Sequence, residues 1–442
     1  MYDIENSDTI DIVKNLPRIL IVSRTAWNDS YGTSSTLSNI FDSYNPDHLA
    51  HVYVDAQLPC TTRCRRFFQI SESALIKKVF NWRLKSGRVV RNKPLAESRV
   101  EEVNANQKIL NFARQRRFSL MGSARELLWY LNGWKSKELK EFIHEFDPDI
   151  VWLDGSTNVF LNRLYNYVVD IAKKPVMFYF MDDNYTWKSM VGHNYLRRYL
   201  LRQSVDRLIK KTSRVLTISP KMKMEFDELF HVNSTIITKS IDYSDLVFQE
   251  STLHKPIRIV YLGQLIYGRM TTVLKLVEAI DKVNSGGVKI QLNIYTNTPI
   301  STKERSCLTG KGAVILHKPV PYAQIPSVIS ENDVLLFVES LESKYSRDAR
   351  LSFSTKITDY LCGSKCILAV GPEDSAPIEY FREEDAALVA TNDYGIDECL
   401  NKLLKDGVVN SYAHKAFECG RRNHEKKMME KRLMTVIDNI KM

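Results

Sequence analysis

No stretch of this chain approaches the roughly 18–20 consecutive apolar residues that a membrane-spanning helix requires. The most hydrophobic runs, Val176–Met181 and Val334–Val338, have the length of buried strands. Cysteine is sparse: seven residues in 442, an odd number, scattered along the chain. Cys60/Cys64 and Cys362/Cys366 are C-x3-C pairs, but neither has a His or Cys cluster beside it to complete four zinc ligands. Reduced, mostly buried thiols are the expectation. There is no G-x4-G-K-[ST], no G-x-G-x-x-G after a first strand, no H-E-x-x-H and no G-x-S-x-G. Phosphate-loop NTPases, nicotinamide oxidoreductases, zinc proteases and serine hydrolases are thereby disfavoured. The first eleven residues carry Asp3, Glu5, Asp8 and Asp11 and no base, the opposite of a secretory signal, so a cytoplasmic protein is expected.

What is present is globular in proportion, with 44% hydrophobic and 26% charged residues. A chain of 442 residues exceeds one ordinary core, which predicts two domains of about 200 residues each. The formal charge of +10 is uneven. Between Thr61 and Lys140 there are 19 Lys/Arg and 6 Asp/Glu, a net +13 that leaves −3 for the remainder. Within it, Ile76, Val79, Phe80 and Leu84 form a helical stripe flanked by Lys77, Lys78, Arg83 and Lys85. Such a helix can lie on an anionic bilayer surface, and it can equally be a solvated or packed face of its own domain. No recognised nucleic-acid module accompanies the charge, and nucleic acid is not an expected partner.

Along the chain, short apolar strands alternate with helices: Arg18–Ser23, His51–Val54, Ile150–Leu153, Val176–Met181, Val215–Ile218 and Thr235–Thr238 are predicted strands. A long helical stretch is predicted from about Ser71 to Phe146, broken near Gly87–Pro94. After a polar, turn-rich segment, Ile257–Leu262 restarts the pattern, followed by strands at Ile290–Tyr295, Val314–Leu316, Val334–Val338 and Cys366–Val370. This alternation predicts an α/β fold of two doubly wound, Rossmann-like domains, each a parallel sheet covered on both faces, facing each other across a cleft. The expected division is residues 1–241 with a helical basic insertion at about 61–146, a linker at 242–256, and a nucleotide-binding domain at 257–422. Residues 423–442 would form a helix packing back on the first domain.

The most informative segment is Leu351–Pro377. A polar loop opens a helix at Ser354 or Thr355, offering an oxygen cap and free backbone N–H groups. Lys356 stands in the first turn, where a cation is unfavourable to the helix dipole, and a bound anion there would explain it. Asp359, one turn on along the same face, could accept hydrogen bonds from ribose hydroxyls.

The order strand, polar loop, helix ending in Y-L-C-G-S-K, strand, G-P resembles the nucleotide-binding half of the retaining GT-B glycosyltransferases, the bacterial mannosyl- and glucosyltransferases that build polysaccharides and glycolipids. Tyr261–Met270 (YLGQLIYGRM) is similar to that family's donor-phosphate loop: Gly263 and Leu265 match and Arg269 falls at its Lys place, while Gln264 replaces its Arg. Leu351 stands where the first of its paired glutamates is expected and Asp359 where the second is. The double-glycine loop after the first strand is reduced to Tyr31-Gly32-Thr33, and Arg350 supplies a further cation in the loop before the helix. The resemblance implies a GT-B-like fold and transfer of a sugar from a nucleoside-diphosphate sugar to a glycan or lipid-linked acceptor, with retention and without a metal or other cofactor. It implies donor contacts from Gly32, Gly263, Arg350, Ser354, Thr355 and Asp359, and leaving-group stabilisation by Arg269 and Lys356. Asp182 and Asp183, at a strand end, would orient or deprotonate the acceptor. A sugar-nucleotide epimerase of the same architecture and a non-catalytic partner subunit are the alternatives.

Overall fold

The computed structural model describes residues 16–29, 33–92, 125–131, 133–183, 185–189, 195–310, 312–347 and 349–441. The first lobe is an eight-stranded sheet. Its strands are β1 (Ile19–Ser23), β2 (Leu49–Tyr53), β3 (Arg66–Ile70), β4 (Gly87–Val90), β5 (Ile150–Asp154), β6 (Val176–Phe180), β7 (Arg214–Thr217) and β8 (Thr235–Ile236), in the order β4-β3-β2-β1-β5-β6-β7-β8. All neighbours are parallel except β3 and β4. Strands such as VMFYF in β6 are buried at every position because helices cover both faces of the sheet. The second lobe is an all-parallel six-stranded sheet of β9 (Ile257–Leu262), β10 (Ile290–Tyr295), β11 (Val314–His317), β12 (Val334–Val338), β13 (Cys366–Val370) and β14 (Leu388–Ala390), ordered β11-β10-β9-β12-β13-β14. In this sheet the chain order reverses between β9 and β12, which opens a crevice beyond their carboxyl ends.

Within the segment expected as a helical insertion, the described residues form helices at Glu72–Phe80 and Lys137–Phe146 and also two strands of the sheet edge. The strands are β3 and β4, and the helix between them, α1 (Glu72–Phe80), is only nine residues long. Ser71 caps its start through the Ala74 N–H, and Asn81 ends it. Phe67, Phe68 and Ile70 are buried on both faces of β3. The stripe on α1 does not enter the core: only Leu75 is buried, while Phe80 is 87% and the following Trp82 78% exposed.

The lobes meet through helices α2 (Pro220–Phe230) and α3 (Ala376–Glu383), and the C-terminal helix α4 (Lys426–Lys441) reaches the first lobe. Lys426 pairs with Asp42, and Ser43 donates to Glu430. No helix among the described residues is long and apolar enough to cross a membrane.

Candidate functional site

Between the lobes lies a cavity of about 830 Å³. Its second-lobe wall is formed at the carboxyl ends of β9 and β12, with Leu262, Gly263 and Gln264 on one side and Val338 and Glu339 on the other. Beside them stand Arg269, Ser354, Thr355, Lys356 and Asp359, and Tyr295, Thr296 and Asn297 lie at the carboxyl end of β10. The facing wall comes from the first lobe: Asp29, Ser38, Asp42, Arg63 and, after β8, Lys239.

Lys356 opens a helix of six residues, Lys356–Leu361, and its ammonium turns to donate to the Leu262 carbonyl at 2.7 Å. A Cβ on Gly263 would stand 2.3 Å from that Nζ, so the absence of a side chain there is what admits the lysine. Burial pushes the Lys356 pKa down to about 8, the Arg269 charge adds to the depression, and Glu339 and Asp359 oppose it. Arg269 is the first residue of a second helix, α5 (Arg269–Val283), whose N-cap Gly268 lies in the left-handed region at φ 75°. A cation there opposes the helix dipole, and Glu339 answers it with a bidentate pair: Arg269 Nη2 donates to both carboxylate oxygens at 2.8 and 3.0 Å. Burial raises the Glu339 pKa and Arg269 resists the rise. Asp359 is likewise pushed up by burial and held by Lys239 from the first lobe. Ser354 Oγ accepts weakly from the Lys356 N–H, at 3.4 Å.

Of the residues singled out from the sequence, Gly263, Arg269, Ser354, Thr355, Lys356 and Asp359 come together in this cavity. Gly32 lies outside the described residues. Arg350, Asp182 and Asp183 do not line the cavity. Arg350 is buried at the lobe junction, where its guanidinium pairs with Glu225 and stands 3.7 Å from Asp183 and 3.6 Å from Asp374. Asp183 is buried and accepts from the backbone N–H groups of Tyr185 and Thr186. Asp182 accepts from Ser352 Oγ at 2.6 Å. The strand-end position of the two aspartates therefore serves a turn and a lobe contact. Leu351 is fully buried and absent from the cavity wall. Sequence reasoning did not assign Glu339 or Lys239 to the site. The usable signal was a charged residue just beyond a strand, in Val338-Glu339-Ser340 and Thr238-Lys239-Ser240.

No protein-family model matches the chain, and no curated protein sequence matches it. Solved structures do. HepE of Anabaena in complex with UDP-glucose aligns over 96% of this chain and 100% of its own, with TM-score 0.59 and 11% identity. A glycosyltransferase from Rickettsia africae aligns over 96% and 99%, with TM-score 0.57 and 12% identity. An α,α-trehalose-phosphate synthase (UDP-forming) from Burkholderia xenovorans in complex with glucose-6-phosphate aligns over 96% and 100%, with TM-score 0.59 and 9% identity. At these identities the likeness is one of architecture: two facing parallel-dominated α/β lobes over nearly the whole chain, the GT-B fold.

Proposed function

We propose that this protein transfers a sugar from a nucleoside-diphosphate sugar to a glycan or lipid-linked acceptor. The observation that carries the reading is the convergence of Arg269 and Lys356 on one interlobe cavity, with the carboxylate of Asp359 beside them. Breaking a sugar–diphosphate bond loads negative charge onto the leaving group, and two fixed cations stabilise it as it forms. This supports a reaction without a metal; retention of the anomeric configuration is the expectation that the family resemblance carries. Asp359, tethered by Lys239, is placed to accept from ribose hydroxyls. Similar structures crystallised with UDP and UDP-glucose support a donor of this class. Within the same reading, the exposed Phe80 and Trp82 among Lys77, Lys78, Arg83 and Lys85 suit a peripheral position on an anionic membrane face, where a lipid-linked acceptor for polysaccharide or glycolipid synthesis would reside.

Thermal-shift screening against UDP, GDP, ADP, CMP and dTDP tests the reading. A specific stabilisation by one nucleoside diphosphate supports it. The buried Leu351 and the Gln264 substitution favour one other reading, a non-catalytic partner subunit of the same fold. No response to any of the five ligands would favour that one.

A further inference from the structure

We propose that Glu339 is a positioning residue of the donor site, fixing the direction of Arg269 and serving as the counter-ion to the two cations, Arg269 and Lys356, that share its cavity wall. The proposal deepens the donor-site reading above and rests on it.

Arginine carries five N–H donors in a rigid fork. In Arg269, Nε donates to the Val338 carbonyl at 3.1 Å and to Glu339 at 3.2 Å, while Nη2 is chelated by both Glu339 oxygens. Among the described residues, Nη1 makes no hydrogen bond. The guanidinium is therefore held through one edge, and a single nitrogen remains to meet a ligand in the cavity that Arg269 lines. Without Glu339 the side chain would keep only its bond to the Val338 carbonyl, and holding the guanidinium in one direction for a diphosphate would cost side-chain entropy.

The second effect is electrostatic. The groups facing the Lys356 ammonium are Arg269 and Glu339 from neighbouring elements, Asp359 on its own helix with Lys239 beyond it, and the Tyr261 ring at 5.9 Å. Arg269 repels the ammonium, Asp359 is already engaged by Lys239, and Glu339 is the carboxylate that answers both cavity cations. Buried charges of one sign are tolerated only when paired. Removing the Glu339 charge should cause Lys356 to lose its proton at lower pH, and with it the attraction for an anionic diphosphate.

The experiment is calorimetric titration of UDP into the wild type, E339Q and E339D across about pH 6–9.5. In the wild type the affinity should fall as pH rises through about 8. In E339Q this fall should move to lower pH by at least about half a unit. E339D keeps the charge and should hold the fall close to the wild-type position, even where its shorter reach weakens binding at every pH. A residue that only braces the fold would change affinity at all pH values and leave the position of the fall unmoved. That result in E339Q, or an equal displacement in E339D, overturns the proposal alone. A wild type with no affinity for UDP, and none for the other four nucleoside diphosphates, overturns the donor-site reading and this proposal with it.

Discussion

Lys356 shows what a single residue can reveal and hide. Its place in the first turn of a helix was readable as an electrostatic misfit, and that misfit pointed to an anion. The structure adds that the ammonium is half-buried, bonded to the Leu262 carbonyl and shifted down by its surroundings to about 8. If Arg269 and Lys356 each supply roughly 2–3 kcal/mol of leaving-group stabilisation, R269A and K356A should each lower turnover of the identified donor about a hundredfold. Wild-type rates in both variants would remove them from the chemistry. The pH dependence has a definite sign. If Lys356 holds the donor's anion in its protonated form, donor affinity should be full well below pH 8 and decline above it. K356R, whose guanidinium stays charged, should lose that alkaline decline, and a decline persisting unchanged in K356R would assign it to another group.

At the scale of elements, the loop after β9 and the α2–α3 junction carry the most consequence. Gly263 is needed because the Lys356 ammonium occupies the space a side chain would take. In G263A the obstructed atom is the tip of a flexible side chain, so the fold should survive with a nearly unchanged melting temperature. Donor affinity should fall about tenfold, equivalent to 1.4 kcal/mol; retained affinity would show that the lysine position is not tied to this glycine. At the junction, each lobe offers a cation to the other: Arg350 pairs with Glu225, and Lys221 with Glu379 and, at 2.7 Å, with Asp374. E225A leaves the Arg350 guanidinium buried and without its principal partner, at an expected cost of about 3 kcal/mol read from denaturant unfolding. A loss below about 1 kcal/mol would mean that Asp183 and Asp374 suffice. The strand β4 and the shortness of α1 were not readable, because a four-residue edge strand carries little periodicity of its own and depends on the partner β3 that it finds.

For the whole molecule, the asymmetric charge predicts where it sits in a cell. The exposed Phe80 and Trp82, set among basic side chains, should give binding to anionic vesicles that weakens as salt rises. Replacing both aromatics by serine should reduce that binding severalfold without changing nucleotide affinity. Equal binding to neutral vesicles, or none to anionic ones, would leave the basic segment as a solvated surface.

The sequence by itself determined the two-lobed α/β plan and pointed to six residues of the cavity's second-lobe wall. Strand–helix alternation is local, and Gly263, Arg269, Ser354, Thr355, Lys356 and Asp359 lie beside strand ends or in helix first turns that local patterns mark. Only the tertiary structure decided which charged groups belong to the cavity. Asp182 and Asp183 have the same local signature as Glu339 and Lys239, a charge just beyond a strand, and Arg350 lies in the loop before the same helix that Lys356 opens. They are separated by which partners the other lobe brings to them, and that depends on how two distant parts of the chain pack, which no local spacing encodes.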